Sequence, residues 1–134
     1  MQINSFVNMS QFVYIVRSGE TNRYKIGMTK NIYQRFKKLQ GTDAPYYINS
    51  IHHIKVINSR VIEKYLHNKY KSYQVKGEWF ELNENLVKSV VKDMDFQGIL
   101  QLAAELSIEE LLELQMELIK LCHSKIAQTS EIHC

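Results

Sequence analysis

Five side chains in this sequence are of the types that acid–base and anion chemistry requires: Tyr14, Lys25, Arg35, Glu63 and His67. Arg35 falls about 60° around a helix from Ile32, at the edge of an apolar stripe, which half-shelters its guanidinium. Lys30, Lys37 and Lys38 point further out, so the same helix presents a basic face with one semi-buried guanidinium. Glu63, His67 and Tyr70 follow one another at i, i+4 and i+7, a single row flanking the core stripe of a second helix. Each of these residues also has a plain structural reading. Arg35 is a good surface helix former, Glu63 suits the positive first turn of its helix, and His67 can pair with Glu63. Signals for several other chemistries are missing: the sequence has no Walker loop, G-x-G-x-x-G, H-E-x-x-H, G-x-S-x-G or CxxC pair. His52 and His53 are adjacent on a strand, so their rings point to opposite faces and cannot share a metal. Cys122-His123 and His133-Cys134 make a poor zinc set, because adjacent helical ligands diverge and the second pair ends the chain.

The elements that must position these residues follow from hydrophobic periodicity and turn chemistry. Phe12-Val13-Tyr14-Ile15-Val16 is short and apolar, Ser18-Gly19-Glu20-Thr21-Asn22 reads as a turn, and Arg23-Tyr24-Lys25-Ile26-Gly27 follows as a second strand. The pair is a hairpin with a longer loop. Residues 31–40 form a helix with Asn31 as N-cap, Gly41 as the stop and Ile32, Phe36 and Leu39 as its core stripe. Asp43-Ala44-Pro45 is a turn, and residues 48–57 alternate as a third strand. A second helix spans residues 59–71 with Ile62, Tyr65, Leu66 and Tyr73 facing inward, and Lys76-Gly77 turns the chain into residues 78–82. Asn83 caps a helix to about residue 92, and residues 97–106 look helical as well. Ser107-Ile108-Glu109-Glu110 is a capping box that opens a longer helix to about residue 126.

Composition divides the chain near Gly98. Residues 1–96 carry fifteen Lys/Arg against eight Asp/Glu, whereas residues 97–134 carry two against six, and all fourteen aromatics precede residue 97. The first part reads as a basic, aromatic-rich domain suited to a polyanion. The tail is acidic, and its stripe of Ile108, Leu111, Leu112, Leu118, Ile119 and Cys122 is too apolar to stay wet. It either packs back on the domain or pairs with another chain; we expect self-association, as a homodimer through this helix. The longest apolar run, about five residues, is far below the roughly 18 that span a bilayer, so no membrane is expected. With no basic and apolar leader in MQINSFVNMSQ and only two cysteines, the expected location is intracellular, cytoplasmic or nuclear, and not secreted.

Taken in order, these residues resemble a known family. Phe12-Val13-Tyr14, then Lys25-Ile26-Gly27, a helical Arg35 and a helical Glu63 are similar to the GIY-YIG nuclease superfamily. The similarity is greatest to the branch found in phages, large DNA viruses and some fungi. That branch carries K-I-G-x-T, here Lys25 to Thr29; E-x-x-L-H, here Glu63, Leu66 and His67; and G-E-W-F, here Gly77 to Phe80. Phe12 stands where the first motif has glycine, and no asparagine matches the family's late one near Glu78.

The resemblance implies an α+β fold: a small three-stranded antiparallel sheet flanked by helices, spanning residues 11–96, with a helical C-terminal extension over 97–134. It implies a metal-dependent DNA endonuclease or nickase. Tyr14 would handle the proton of the attacking water, Lys25 would stand at a second tyrosine's place, and Arg35 would hold the scissile phosphate. Glu63 would bind Mg²⁺ or Mn²⁺, with His67 or Glu78 standing in for the asparagine. Lys30, Arg35, Lys37 and Lys38 would contact DNA. The chemistry is coherent, because attack on a phosphodiester builds negative charge that a guanidinium and a cation stabilise. Lys25 beside Tyr14 should favour the phenolate. Two alternatives remain: a non-catalytic DNA-binding module of the same fold, and an interaction adaptor acting through the C-terminal helix.

Overall fold

A computed structural model describes residues 9–41 and 46–132. Strands β1 (Gln11–Ser18) and β2 (Arg23–Thr29) form the expected hairpin, in which Tyr14 lies opposite Gly27 and Val16 opposite Lys25. Arg17 closes its loop by donating to the carbonyls of Thr21, at 2.7 Å, and Glu20, at 2.9 Å. Helix α1 (Ile32–Gln40) starts where the Asn31 side chain accepts the Gln34 N–H and stops at Gly41. The chain returns as β3 (Ile48–Val56), antiparallel to β1 on its other side. The Asp43-Ala44-Pro45 turn, the chain start and His133-Cys134 lie outside the described residues.

The sheet has five strands rather than three, in the order β3-β1-β2-β5-β4 with every pairing antiparallel. The two extra strands, β4 (Gln74–Lys76) and β5 (Trp79–Glu81), form a tight hairpin on the free side of β2. Its turn needs a positive φ, which Gly77 supplies at 55°. Strands of three residues are too short to show period-two alternation, so periodicity does not reveal them.

Alternation along β1 assigns the two faces of the sheet. Val13 and Ile15 point towards α2 (Ser59–Lys69) and α3 (Glu84–Glu105), where they join Ile26, Ile62, Leu66, Phe80, Val90 and Met94 in the core. Burying a side chain such as Leu66 contributes about 1.5–3 kcal/mol. Tyr14 lies on the opposite face, under Phe36 of α1. The adjacent histidines of β3 follow the same rule: His52 meets Asp95 of α3 at 2.8 Å, and His53 lies against Phe36.

Helix α2 lies closer to its expected form than α3 does. The Asn58 side chain caps α2 by accepting the Val61 N–H, and Ile62 and Leu66 are fully buried. Tyr65 and Tyr73, expected to face inward, are exposed, and Tyr70 takes the buried place instead. It does so because its hydroxyl, 2.6 Å from Asp93 and 2.7 Å from Ser89, satisfies itself against α3. The helices expected over residues 83–92 and 97–106 are one continuous helix, α3. Nothing between them breaks a helix except Gly98, which costs only about 1 kcal/mol and faces Ile54 and Val56.

Helix α4 (Ile108–Ile132) begins at the expected capping box, with Ser107 and Glu110 each bonded to the other's backbone N–H at 3.2 Å. Its apolar stripe is not packed back on the domain. Ile108, Leu111, Leu112, Leu118, Ile119 and Leu121 are all exposed. No helix among the described residues is long and apolar enough to cross a membrane.

Candidate active site

The site forms around Tyr14, whose position depends on a glycine. A Cβ placed on Gly27 would lie 2.4 Å from Tyr14 Oη and 2.6 Å from its Cζ, so the phenol occupies the volume a side chain would need. The Phe36 edge holds the ring from the α1 side, with centroids 5.6 Å apart. Tyr14 is fully buried, yet its Oη meets no hydrogen-bond partner. Burial pushes its pKa up to about 12, against the lowering effect of Arg35 and with further raising by Glu78 and Glu63. Arg35 approaches Oη as a charge, without a hydrogen bond of standard geometry.

Glu63 reaches the same place from α2. The strand β5 pairs with β2 only as far as Lys25 opposite Trp79, and beyond it the edge of β2 is open. There the Ile26 carbonyl accepts a 2.8 Å bond from His67 Nε2, which fixes α2 against the edge. Because a carbonyl can only accept, Nε2 carries the proton. Glu63 lies one turn before His67. Its Oε2 is shut off from solvent and, like Tyr14 Oη, has no partner. Burial raises the Glu63 pKa and Glu78 raises it further, against His67, Lys25 and Arg35, which lower it.

The Ile26 N–H donates to the Glu78 carbonyl at 3.1 Å, which seats Glu78 at this edge. The Glu78 carboxylate takes Lys25 Nζ at 3.4 Å, and Nζ also lies 5.9 Å from the Trp79 ring. Lys25 is therefore engaged with β5. The cation acting on Tyr14 is Arg35, and the phenol is held neutral rather than as the expected phenolate.

Tyr14, Arg35, Glu63 and Glu78 thus act on one another, with Lys25 and His67 joined to the group through Glu78 and Glu63. His67 binds the backbone and stacks edge-on to Phe80 at 5.1 Å, so it braces the site rather than pairing with Glu63. Lys37 and Lys38 are exposed and Arg35 is half-buried, as the helical angles require, and Lys30, which precedes the Asn31 cap, is exposed as well. A cleft lined by Gln11, Met28, Lys30, Asn58, Ser59 and Arg60 adds Arg60 to the positive residues near the end of β2. Two participants, Gly27 and Glu78, enter the sequence reading only through the family resemblance and not through their residue types. A glycine inside a strand that is otherwise apolar is the signal for the first.

A family model described as the T5orf172 domain matches residues 11–95, well over half of the chain. The chain belongs to the T5orf172 domain family. No curated protein and no solved structure matches it significantly. The T5orf172 domain is phage-derived and related to GIY-YIG and HNH-like nucleases, so residues 11–95 are a nuclease-like domain. The T5orf172 match takes in every residue of the site and stops within α3, short of α4.

The notch at Gly27 yields a prediction. Gly27→Ala forces the Tyr14 ring from its place and should lower stability by about 1–3 kcal/mol, the usual cost of overpacking. Tyr14→Phe should relieve this only in part, because Cζ remains at 2.6 Å from the new methyl. Urea unfolding of the two single variants and the double variant measures both effects.

Proposed function

We propose that this T5orf172 domain is a metal-dependent DNA endonuclease or nickase, acting inside the cell. The observation that carries the reading is the pair of buried, unpartnered oxygens, Tyr14 Oη and Glu63 Oε2, facing one guanidinium. A buried polar atom without a partner costs about 1–3 kcal/mol, and a fold retains two together where a polar guest satisfies them.

Glu63 is the residue to hold Mg²⁺ or Mn²⁺. The fit is of the sparse kind: no group of three or more His, Cys, Asp or Glu arranged to hold a metal ion exists among the described residues. Mg²⁺ commonly keeps most of its waters and takes one or two carboxylates plus substrate phosphate, so a single desolvated carboxylate suits it. The cation supplies positive charge that stabilises phosphoryl oxygens and lowers the pKa of nearby groups.

The other roles belong to the chain itself. Arg35, half-buried and aimed at Tyr14, clamps the scissile phosphate and counters the charge that develops on it. Tyr14, with a pKa of about 12, is protonated at neutral pH. It therefore meets the substrate as a hydrogen-bond donor, and it passes a proton only after binding has changed its surroundings. Lys25 keeps Glu78 paired and out of competition for Arg35. His67 holds α2, and with it Glu63, at the edge of β2. Lys30, Lys37 and Lys38 supply the sequence-independent attraction for the DNA backbone.

Cleavage of plasmid and branched DNA with and without Mg²⁺ or Mn²⁺ tests the reading. Glu63→Ala should abolish metal-dependent cleavage while leaving DNA affinity intact. Arg35→Ala should lose on the order of 10²-fold or more in rate, and Tyr14→Phe should be similarly damaging. Wild-type cleavage unchanged by Glu63→Ala would show that Glu63 is not the metal ligand. Binding without cleavage of any form would favour the non-catalytic module.

The DNA face makes a separate prediction. Replacing Lys30, Lys37 and Lys38 together with Gln should flatten the dependence of log affinity on log salt by about two to three units of slope. An unchanged slope would put the DNA on another face.

A further inference from the structure

The cleft between the end of β2 and the start of α2 has a volume of about 430 Å³. Lys30 and Arg60 line it, and no carboxylate does. Three other clefts on the molecule each include an acidic residue: Glu20, Asp95, or Glu113 with Glu117. Both cations are exposed, and neither is in an ion pair among the described residues. They come from two different elements, so the cleft is where their charges converge.

The uncharged groups of the wall are sorted in the same sense. Gln11 Oε1 accepts both the N–H and the hydroxyl of Ser59, each at 2.8 Å, and Asn58 Oδ1 accepts the Val61 N–H at 3.4 Å. A backbone N–H can only donate, so the oxygen of each amide is committed to α2. The remaining groups, Gln11 Nε2 and Asn58 Nδ2, have no protein partner among the described residues, and both are donors. Because the N–H groups of Ser59 and Val61 are already occupied, recognition falls to side chains and not to the helix end. Two cations and two donor amides, with no carboxylate beside them, suit an anion.

The position of the cleft says which anion. Arg60 and Glu63 stand at i and i+3 on α2, about 5–6 Å apart at their side-chain bases. Lys30 follows Gly27 by three residues and leads through the Asn31 cap into the helix that carries Arg35. The cleft therefore continues the site along β2, one helical turn from Glu63. That displacement suits successive phosphates of one strand.

We propose that this cleft binds a phosphodiester of the DNA strand next to the phosphate held by Arg35, with Arg60 and Lys30 as its cations and Gln11 and Asn58 as donors. Two anchored phosphates would fix the register of the strand over Glu63. The inference rests on the reading of the domain as one that acts on DNA, and it adds Arg60, Gln11 and Asn58 to that reading.

Binding of a DNA duplex to the full chain, measured by fluorescence anisotropy in EDTA, tests it without any cleavage. Arg60→Gln should lower the slope of log affinity against log salt by about one unit. Asn58→Asp keeps the cap oxygen, replaces a donor with a charge, and should weaken binding on the order of tenfold without lowering thermal stability. Asn68→Asp, the same change near the other end of α2, should leave affinity unaltered. Backbone amide resonances of Thr29, Lys30 and Arg60 should move on addition of the duplex and stay in place with inorganic phosphate at equal ionic strength. Equal movement with inorganic phosphate would make the cleft a free-anion site and overturn the assignment. Full affinity and slope in both Arg60→Gln and Asn58→Asp would overturn it too, while leaving the DNA reading in place. Both losses without metal-dependent cleavage of any substrate would support the cleft and defeat the endonuclease reading. Absence of DNA binding by wild type would overturn both.

Discussion

The cross-strand pair Tyr14–Gly27 is the constraint on which the rest of the molecule depends. Side chains alternate along a strand, so this one register places Val13 and Ile15 in the core and Tyr14 beneath α1. A slip of one residue would exchange the two sets and bury the site face in the core. The glycine adds a second condition, because only a residue without Cβ lets the phenol lie across the neighbouring strand. The hydroxyl is thereby carried to a buried place where no other group of the protein gives it a hydrogen bond of standard geometry. The same packing that secures the hairpin therefore leaves a reactive group desolvated.

Backbone hydrogen bonding at Ile26 organises the second half of the site. Its N–H goes to Glu78 and its C=O to His67, at the point where β5 ends and α2 takes over the edge of β2. A buried strand edge must have its polar groups satisfied, and here two different elements satisfy one residue. That division brings a carboxylate from each element towards Tyr14: Glu78 from the β4–β5 turn and Glu63 from α2. Lys25 and Arg35 then separate in function. Lys25 neutralises Glu78, and Arg35 is left facing the unpartnered oxygens.

Much of this was legible in the sequence, and the parts that were not have identifiable causes. The β1–β2 hairpin, the helix caps at Asn31 and Asn83, and the Ser107–Glu110 capping box rest on local chemistry, which a sequence displays directly. Arg35 and Glu63 were readable as edge positions because helical spacing fixes angles. The β4–β5 hairpin was hidden, since three-residue strands carry no period and owe their pairing to the open side of β2. The inversion of Tyr65 and Tyr70 depended on Asp93 and Ser89, more than eighteen residues distant. The engagement of Lys25 with Glu78 instead of Tyr14 depended on that hidden hairpin. Non-local pairing is thus the common cause of each difference.

The central claim is that Glu63, desolvated and unpartnered beside Tyr14, is built to receive a divalent cation. Calorimetric titration of the full chain with Mn²⁺, compared with Glu63→Gln, tests it without recourse to activity. Gln keeps the shape of the side chain and removes its charge, so the fold is preserved. Saturable binding by wild type that disappears in Glu63→Gln is the expected result. Equal binding by the two proteins, or none by wild type with DNA present or absent, would contradict it.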